Sequence, residues 1–129
     1  MKPYYSKKVI EHFVSPKNFG RIKDASGIGK VGNPRCGDVM EIFIKVEKKD
    51  GQETIKDIKF QTLGCAAAVA TSDMICDLVK GKTLPEALKI NYHSIIKELG
   101  DLPPVKVHCS VLAQEGLKAA IEDYYKKSK

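Results

Sequence analysis

Apolar and polar side chains alternate most clearly in the segment 39–47, where only Val39 and Phe43 break the pattern. A period of two residues predicts a strand with one buried face. The sequence Lys49-Asp50-Gly51 is typical of a hairpin turn, and the segment 55–62 is predicted to return as a second strand. The pattern therefore predicts a small antiparallel β-sheet of two or three strands.

A short helix is predicted before this sheet. Ser6 stands where it can cap the helix, and the turn-forming sequence 15–20 ends it. The segment that follows, 27–34, contains three glycines and is predicted to be a loop.

Helices are predicted from Cys65 onwards. The alanine-rich sequence after Cys65 favours a helix that ends near Gly81. Thr83 opens another helix with a capping box, a short helix follows Asn91, and Ser110 is predicted to cap a last helix with a wide apolar stripe. Strands followed by helices indicate the α+β class, with the helices packed on one face of the sheet.

Length and composition predict one domain. The chain has 129 residues, 43% of them hydrophobic, which suits a single domain over residues 1–129 with one core. No apolar run is long enough to span a bilayer, and the first residues lack the apolar stretch of a signal peptide. We therefore expect a soluble, cytoplasmic protein with no membrane partner.

The positive charge does not indicate a nucleic-acid surface. The net charge is +6, but the lysines and arginines are scattered along the chain and do not alternate with aromatic residues. A solvated surface is the simplest interpretation, and the alternative is a basic face that attracts an acidic protein or, as a weaker alternative, RNA. Nucleic-acid binding is not expected.

Four cysteines are the strongest chemical signal. In a cytoplasmic chain they argue against a disulfide framework and indicate metal binding, thiol chemistry or burial. Cys36, Cys65 and Cys109 each lie at the junction of a predicted element, from which side chains of separate segments can reach one site. A helix N-terminus also favours the thiolate, which is the form that binds metal or attacks sulfur.

Three other candidate donors are expected to have different roles. Cys76 is eleven residues after Cys65, or about 16 Å along a continuous helix, so the two cannot bind the same ion. Cys76 is therefore predicted to be a small buried hydrophobe. His12 and His93 lie on or near predicted helices, and a structural or surface role is expected for both.

Two donors adjoin the three junction cysteines. Asp38, two residues after Cys36, is either a turn residue or a ligand, and its spacing leaves both open. His108 directly precedes Cys109, and adjacent imidazole and thiol groups suit a metal. No CxxC pair supports a compact zinc finger. A site of three cysteines and one histidine, assembled from three distant segments, is the leading hypothesis.

Several sequence segments carry the motifs of one known family. They cover nearly the whole chain and lie at 5–13, 15–18, 31–40, 62–72, 79–84 and 102–110. In these segments the chain resembles the IscU type of iron–sulfur scaffold, a family that includes the N-terminal domain of NifU. His108 is present and no insertion separates Cys65 from Cys109, which favours this branch over the related SufU scaffolds. Alanines at 66–68 replace the more usual glycine and serine.

The resemblance implies a cluster-assembly site. Its ligands would be Cys36, Asp38, Cys65, His108 and Cys109. A pyridoxal-phosphate cysteine desulfurase would deliver sulfur as a persulfide, with Cys109 as the acceptor, and iron at the site would combine with it after reduction. The implied product is a 2Fe–2S cluster, or a 4Fe–4S cluster in a homodimer. Zinc would bind the same residues as a surrogate for iron.

The resemblance also implies a carrier with protein partners, not an enzyme. The extended segment Leu102, Pro103, Pro104, Val105 and Lys106 resembles a motif bound by DnaK-type chaperones with their DnaJ partners. Ferredoxin, frataxin-like proteins and apo iron–sulfur acceptors are the other implied partners. The alternatives are a structural-zinc thiol protein and a sulfur-relay protein that builds no cluster. A thiol or zinc enzyme is disfavoured, since no glutamate stands beside a ligand as in zinc hydrolases.

Overall fold

The computed structural model describes residues 6–33, 38–100 and 107–127, and its architecture is α+β, as predicted. A three-stranded sheet follows one helix and precedes four others. The elements in chain order are α1 (Lys7–Val14), β1 (Gly27–Asn33), β2 (Asp38–Lys49), β3 (Gln52–Thr62), α2 (Ala66–Val79), α3 (Leu84–Leu88), α4 (Tyr92–Leu99) and α5 (Val107–Lys127).

The sheet is antiparallel, with β2 between β1 and β3. The predicted hairpin joins β2 to β3. Asp50 and Gly51 have φ angles of 53° and 78°. Two successive positive φ values suit a type I′ turn, whose twist matches that of the flanking strands. The prediction that the segments 39–47 and 55–62 form two paired antiparallel strands is therefore confirmed.

Strand β1 corrects the expectation of a glycine-rich loop. Gly27 and Gly29 pair with Ile44 and Ile42 of β2, so both glycines lie on the same face as these apolar residues. A Cβ atom on Gly29 would lie 2.2 Å from the backbone oxygen of Gly116 in α5. The glycines are there because a helix backbone packs directly on the strand, a tertiary cause that local sequence does not show.

Phe43 is buried on the opposite face of the sheet. It points away from its neighbours Ile42 and Ile44, yet only 1% of it is exposed. The guanidinium carbon of Arg21 lies 5.4 Å from the centre of its ring, and Lys45 on the same face donates to Asp24. The segment between α1 and β1 thus covers this face, which explains why Phe43 departs from the alternating pattern.

The inner face of the sheet packs against α2 and α5. Ser72 of α2 donates to the sulfur of Met40, and Gly116 of α5 lies against Ile42. Helix α1 packs on α2 rather than on the sheet. Buried apolar side chains of β2, β3 and all five helices form one cluster between these layers. Within the residues that the model describes, no helix has both the length and the apolar character needed to cross a bilayer.

Most of the predicted helix boundaries are confirmed. The Ser6 side chain accepts a hydrogen bond from the Val9 amide, and Thr83 forms the full capping box with Glu86. The prediction for Ser110 is wrong. Helix α5 begins at Val107, and the Ser110 hydroxyl, inside the first turn, donates to the Val107 carbonyl at 2.6 Å.

Candidate metal centre

Cys65 is held at the N-terminus of α2. It is the N-cap residue and has an extended backbone, with φ −75° and ψ −178°. Two hydrogen bonds fix the chain just before it: the Leu63 amide donates to the Val39 carbonyl, and the Gly64 amide to the Thr62 hydroxyl. The half-buried thiol therefore projects from the point where β3 passes into α2.

Cys109 lies in the first turn of α5 and is fully buried. The Thr71 hydroxyl of α2 donates to its backbone carbonyl at 3.3 Å and to the Ala67 carbonyl at 2.8 Å. Ala67 and Ala68 are also buried, and their small side chains let the start of α5 lie close to the start of α2. The predicted position of Cys65 at the start of a helix is confirmed, whereas Cys109, predicted to lie just before the last helix, lies within its first turn.

The two cysteine sulfur atoms meet although 44 positions separate them in sequence. Cys65 Sγ lies 4.0 Å from Cys109 Sγ. That is about twice a disulfide bond length, whereas two thiolates bound to one tetrahedral ion at about 2.3 Å lie about 3.8 Å apart. Both cysteines also stand at helix N-termini, where the dipole stabilises the negative charge of a bound thiolate. The geometry suits a shared ion.

His108 brings an imidazole to the same place. Its Nε2 atom lies 3.7 Å from Cys109 Sγ, and its side chain is exposed. Nitrogen and sulfur on one tetrahedral ion are separated by about 3.6 Å, so the pair already has the spacing of two ligands. The structure thus places Cys65 Sγ and His108 Nε2 each within 4.0 Å of Cys109 Sγ.

The other predicted site residues lie at the start of β2 or outside the described residues. Cys36 and the segment 102–106 lie outside the described residues. Asp38 begins β2 and pairs with Asn33, but its side chain is not described. The Thr62 hydroxyl donates to the Val39 carbonyl at 2.7 Å, so the start of β2 runs beside the chain that leads to Cys65. Ligand roles for Cys36 and Asp38 stay predictions.

Cys76 is buried, as predicted. It is 0% exposed in the apolar core between the sheet and the helices. Burial, reinforced by the nearby Asp73 carboxylate, raises the pKa of its thiol well above the ordinary value. Because the thiolate is the form that binds metal and attacks sulfur, burial disfavours both roles for Cys76.

The sequence analysis missed a second group of donors. His12 Nδ1 lies 2.5 Å from Asp73 Oδ2, and donor atoms of His12, Asp73 and Asp77 all lie within 4.8 Å of one another. The spacing of Asp73 and Asp77, four residues apart on a predicted helix, was the available signal. What the sequence did not show is that α1 packs on this face of α2.

Comparisons with known proteins agree with the fold and with the resemblance. A family model described as NifU-like N terminal domain matches residues 4–129. The iron-sulfur cluster assembly scaffold protein IscU 1 of Archaeoglobus fulgidus is 56% identical over 124 residues, covering 96% of this chain and 78% of that protein. IscU of Haemophilus influenzae is 52% identical, covering 95% and 97%.

A solved structure supports the fold alone. The N-terminal part of a nitrogen-fixing NifU-like protein from Brucella abortus matches with a TM-score of 0.69 and 20% identity, covering 96% of each chain. The family model spans almost the whole sequence, and both relatives above share more than half of their aligned residues with it. This chain therefore belongs to the NifU-like N-terminal domain family.

Proposed function

We propose that this chain is a scaffold on which an iron–sulfur cluster is assembled and from which it passes to other proteins. The observation that carries the proposal is the 4.0 Å separation of the Cys65 and Cys109 sulfur atoms at two helix N-termini. Family membership supports it, because relatives about half identical in sequence are named iron-sulfur cluster assembly scaffold proteins.

Thiolates of Cys36, Cys65 and Cys109 are proposed to hold the cluster, with Asp38 or His108 as the remaining donor. Thiolates are soft ligands that suit iron–sulfur clusters, whereas carboxylate is harder and imidazole intermediate. A mixed set therefore holds a cluster less tightly than four thiolates, which suits a protein that releases its cargo. Zinc would occupy the same residues and stand in for iron.

Cys109 is the proposed sulfur acceptor. Its thiolate would attack the outer sulfur of a desulfurase persulfide, forming a new S–S bond while the donor cysteine leaves as a thiolate. Two electrons from a ferredoxin-type donor would then break that bond and release sulfide to the iron. Because Cys109 is fully buried and Cys65 is half-buried, the residues over Cys109 must move aside before the transfer.

The proposed partners follow from this sequence of steps. A cysteine desulfurase would supply sulfur, a frataxin-like protein would assist, and apo iron–sulfur proteins would receive the cluster. DnaK- and DnaJ-type chaperones would bind Leu102–Lys106 to promote release.

Anaerobic reconstitution tests the proposed function. Purified protein treated with ferrous iron, a cysteine desulfurase and cysteine should turn brown, with sulfur-to-iron charge-transfer bands in the visible spectrum. Mössbauer spectra and native mass would then give the cluster type, 2Fe–2S or 4Fe–4S, and the number of chains. A protein that stays colourless and binds only zinc would be a structural-zinc protein, and one that gains a persulfide but no cluster would be a sulfur relay.

Asp38 offers a test of the mixed ligand set. Replacing Asp38 with alanine should lengthen the lifetime of the cluster and slow its transfer, since the replacement removes the donor that makes the site labile. The decay of visible absorbance after adding an apo-ferredoxin measures the rate. Transfer that is unchanged or faster in the Asp38→Ala variant would contradict this role.

A further inference from the structure

A second group of metal-binding side chains lies where α1 packs on α2. Asp73 and Asp77 are four residues apart on α2, so both carboxylates lie on one helix face, and His12 reaches them from α1. Asp73 is eight residues after Cys65, or about 12 Å along the helix axis. The group is therefore distinct from the cysteine site.

Asp73 is a buried carboxylate, with its side chain only 1% exposed. A buried negative charge is costly unless a cation and hydrogen bonds balance it. Its Oδ1 atom accepts from the Asn18 backbone amide at 2.9 Å and from Asn18 Nδ2 at 3.0 Å, while Oδ2 faces His12 Nδ1. Asn18 thus holds Oδ1, while Oδ2 and the imidazole meet at one point, where an ion that took the place of their contact would find two donors.

One amide group orients both carboxylates. Asn18 Nδ2 donates to Asp77 Oδ1 at 2.9 Å as well as to Asp73, and Asn18 is itself buried. In each carboxylate, Asn18 donates to the Oδ1 atom, and the Oδ2 atom takes no part in these bonds with Asn18. Hydrogen bonds that fix carboxylates in this way are the usual support of metal ligands.

Solvent reaches this group through a shallow cleft. The cleft has a volume of about 200 Å³ and is lined by Glu11, His12, Ser15, Lys17 and Asp73. Asp77 is exposed, and the His12 side chain is 18% exposed. The group therefore borders solvent at His12 and at Asp77.

We propose that His12, Asp73 and Asp77 bind one divalent metal ion, forming a second site that uses no cysteine. Two carboxylates and a neutral imidazole balance a charge of two, and one nitrogen with two oxygen donors suits Mn²⁺, Fe²⁺ or Zn²⁺ rather than a soft ion. Octahedral donors at about 2.1 Å from an ion lie about 3 Å apart. The ion would thus replace the proton between His12 Nδ1 and Asp73 Oδ2, which would be released to solvent, and would move the two atoms apart by roughly half an ångström.

Titration with Mn²⁺, followed by electron paramagnetic resonance, tests this site because Mn²⁺ favours carboxylates over thiolates. The full-length protein should bind one Mn²⁺ saturably at submillimolar concentration. Asp77→Asn should weaken binding by at least about tenfold, since it removes the charge but leaves an oxygen for the Asn18 bond. Asp57→Asn is the matched control: Asp57 is a surface carboxylate paired with Lys80, and its replacement should leave binding unchanged.

The double variant Cys65→Ser, Cys109→Ser separates this proposal from the cluster site, because it should lose the cluster but still bind Mn²⁺. Thermal unfolding gives a second measurement, in which Mn²⁺ should raise the melting temperature of the wild type but not of Asp77→Asn. The proposal is overturned if Mn²⁺ does not saturate, if Asp77→Asn binds it as tightly as the wild type, or if the cysteine variant loses it.

Discussion

Replacing Cys109 with alanine is expected to abolish cluster assembly. The Cys109 sulfur lies 4.0 Å from Cys65 Sγ and 3.7 Å from His108 Nε2, so it is the donor that links the two other described site residues. The replacement removes one proposed ligand thiolate and the proposed sulfur acceptor together. After anaerobic reconstitution, the variant should lack the visible charge-transfer bands, and its bound iron and sulfide should fall to the background level.

Cys76→Ala is the matched control for this experiment. Cys76 is also a cysteine with 0% exposure, so both variants delete one buried sulfur atom and should lose a similar stability of about 1 kcal/mol. Cys76→Ala should nevertheless assemble a cluster like the wild type. If both variants lose the cluster equally, the loss comes from weakened folding, and the assignment of Cys109 as a ligand fails.

Cys65→Ala distinguishes ligation from sulfur acceptance. It should also lose the cluster, but Cys109 remains available and should still gain one sulfur atom from a desulfurase. Mass spectrometry of digested protein locates this atom. If the wild type carries the added sulfur on Cys65 and none on Cys109, the acceptor is Cys65, the more exposed of the two cysteines.

The elements that depend on residues close together in sequence were predicted from the sequence pattern. Strands β2 and β3 follow from alternation and from the Asp50-Gly51 turn, and α3 follows from the capping box at Thr83. Strand β1 was not predicted from its own sequence. Its glycines Gly27 and Gly29 are needed because the backbone of α5, which is distant in sequence, packs directly against them. Likewise, Phe43 departs from its pattern because the segment carrying Arg21 covers the outer face.

The candidate site, including the meeting of Cys65 and Cys109, was predicted by position and by family resemblance, but the packing that brings the two cysteines together was not. Local sequence placed Cys65 and Cys109 near helix starts, and it separated Cys76 by its distance along α2. The meeting of Cys65 and Cys109 depends on α2 and α5 packing together through Ala67 and Thr71. The group at His12 escaped prediction for the same reason, since only the packing of α1 on α2 joins its parts.

Replacing Gly29 with alanine is expected to destabilise the fold by about 3 kcal/mol or more. The new Cβ would lie 2.2 Å from the Gly116 carbonyl oxygen and 2.5 Å from the Ala120 amide nitrogen, both in the backbone of α5. No side-chain rotation relieves a contact with backbone, so α5 must move away from β1. Urea unfolding followed by circular dichroism measures the loss.

Two other glycine variants calibrate this effect. Gly81→Ala meets nothing within 4 Å, so its strained φ of +85° should cost only about 1 kcal/mol. Gly116→Ala would meet side-chain atoms of Ile42 at 3.0 Å and of Val31 at 3.4 Å, which can shift, so its loss should be intermediate. If Gly29→Ala does not fold, Gly116→Ala still tests the packing.

Moving α5 away from the sheet should also change the geometry of the metal site. Helix α5 carries Cys109 in its first turn, so pushing α5 off the sheet moves the Cys109 sulfur relative to Cys65, which α2 holds. Gly116→Ala should therefore shorten the lifetime of a reconstituted cluster, whereas Gly81→Ala should not, even when both are compared at equal fractions folded. Equal lifetimes in the two variants would mean that the packing of α5 on the sheet does not set the distance between the sulfur atoms.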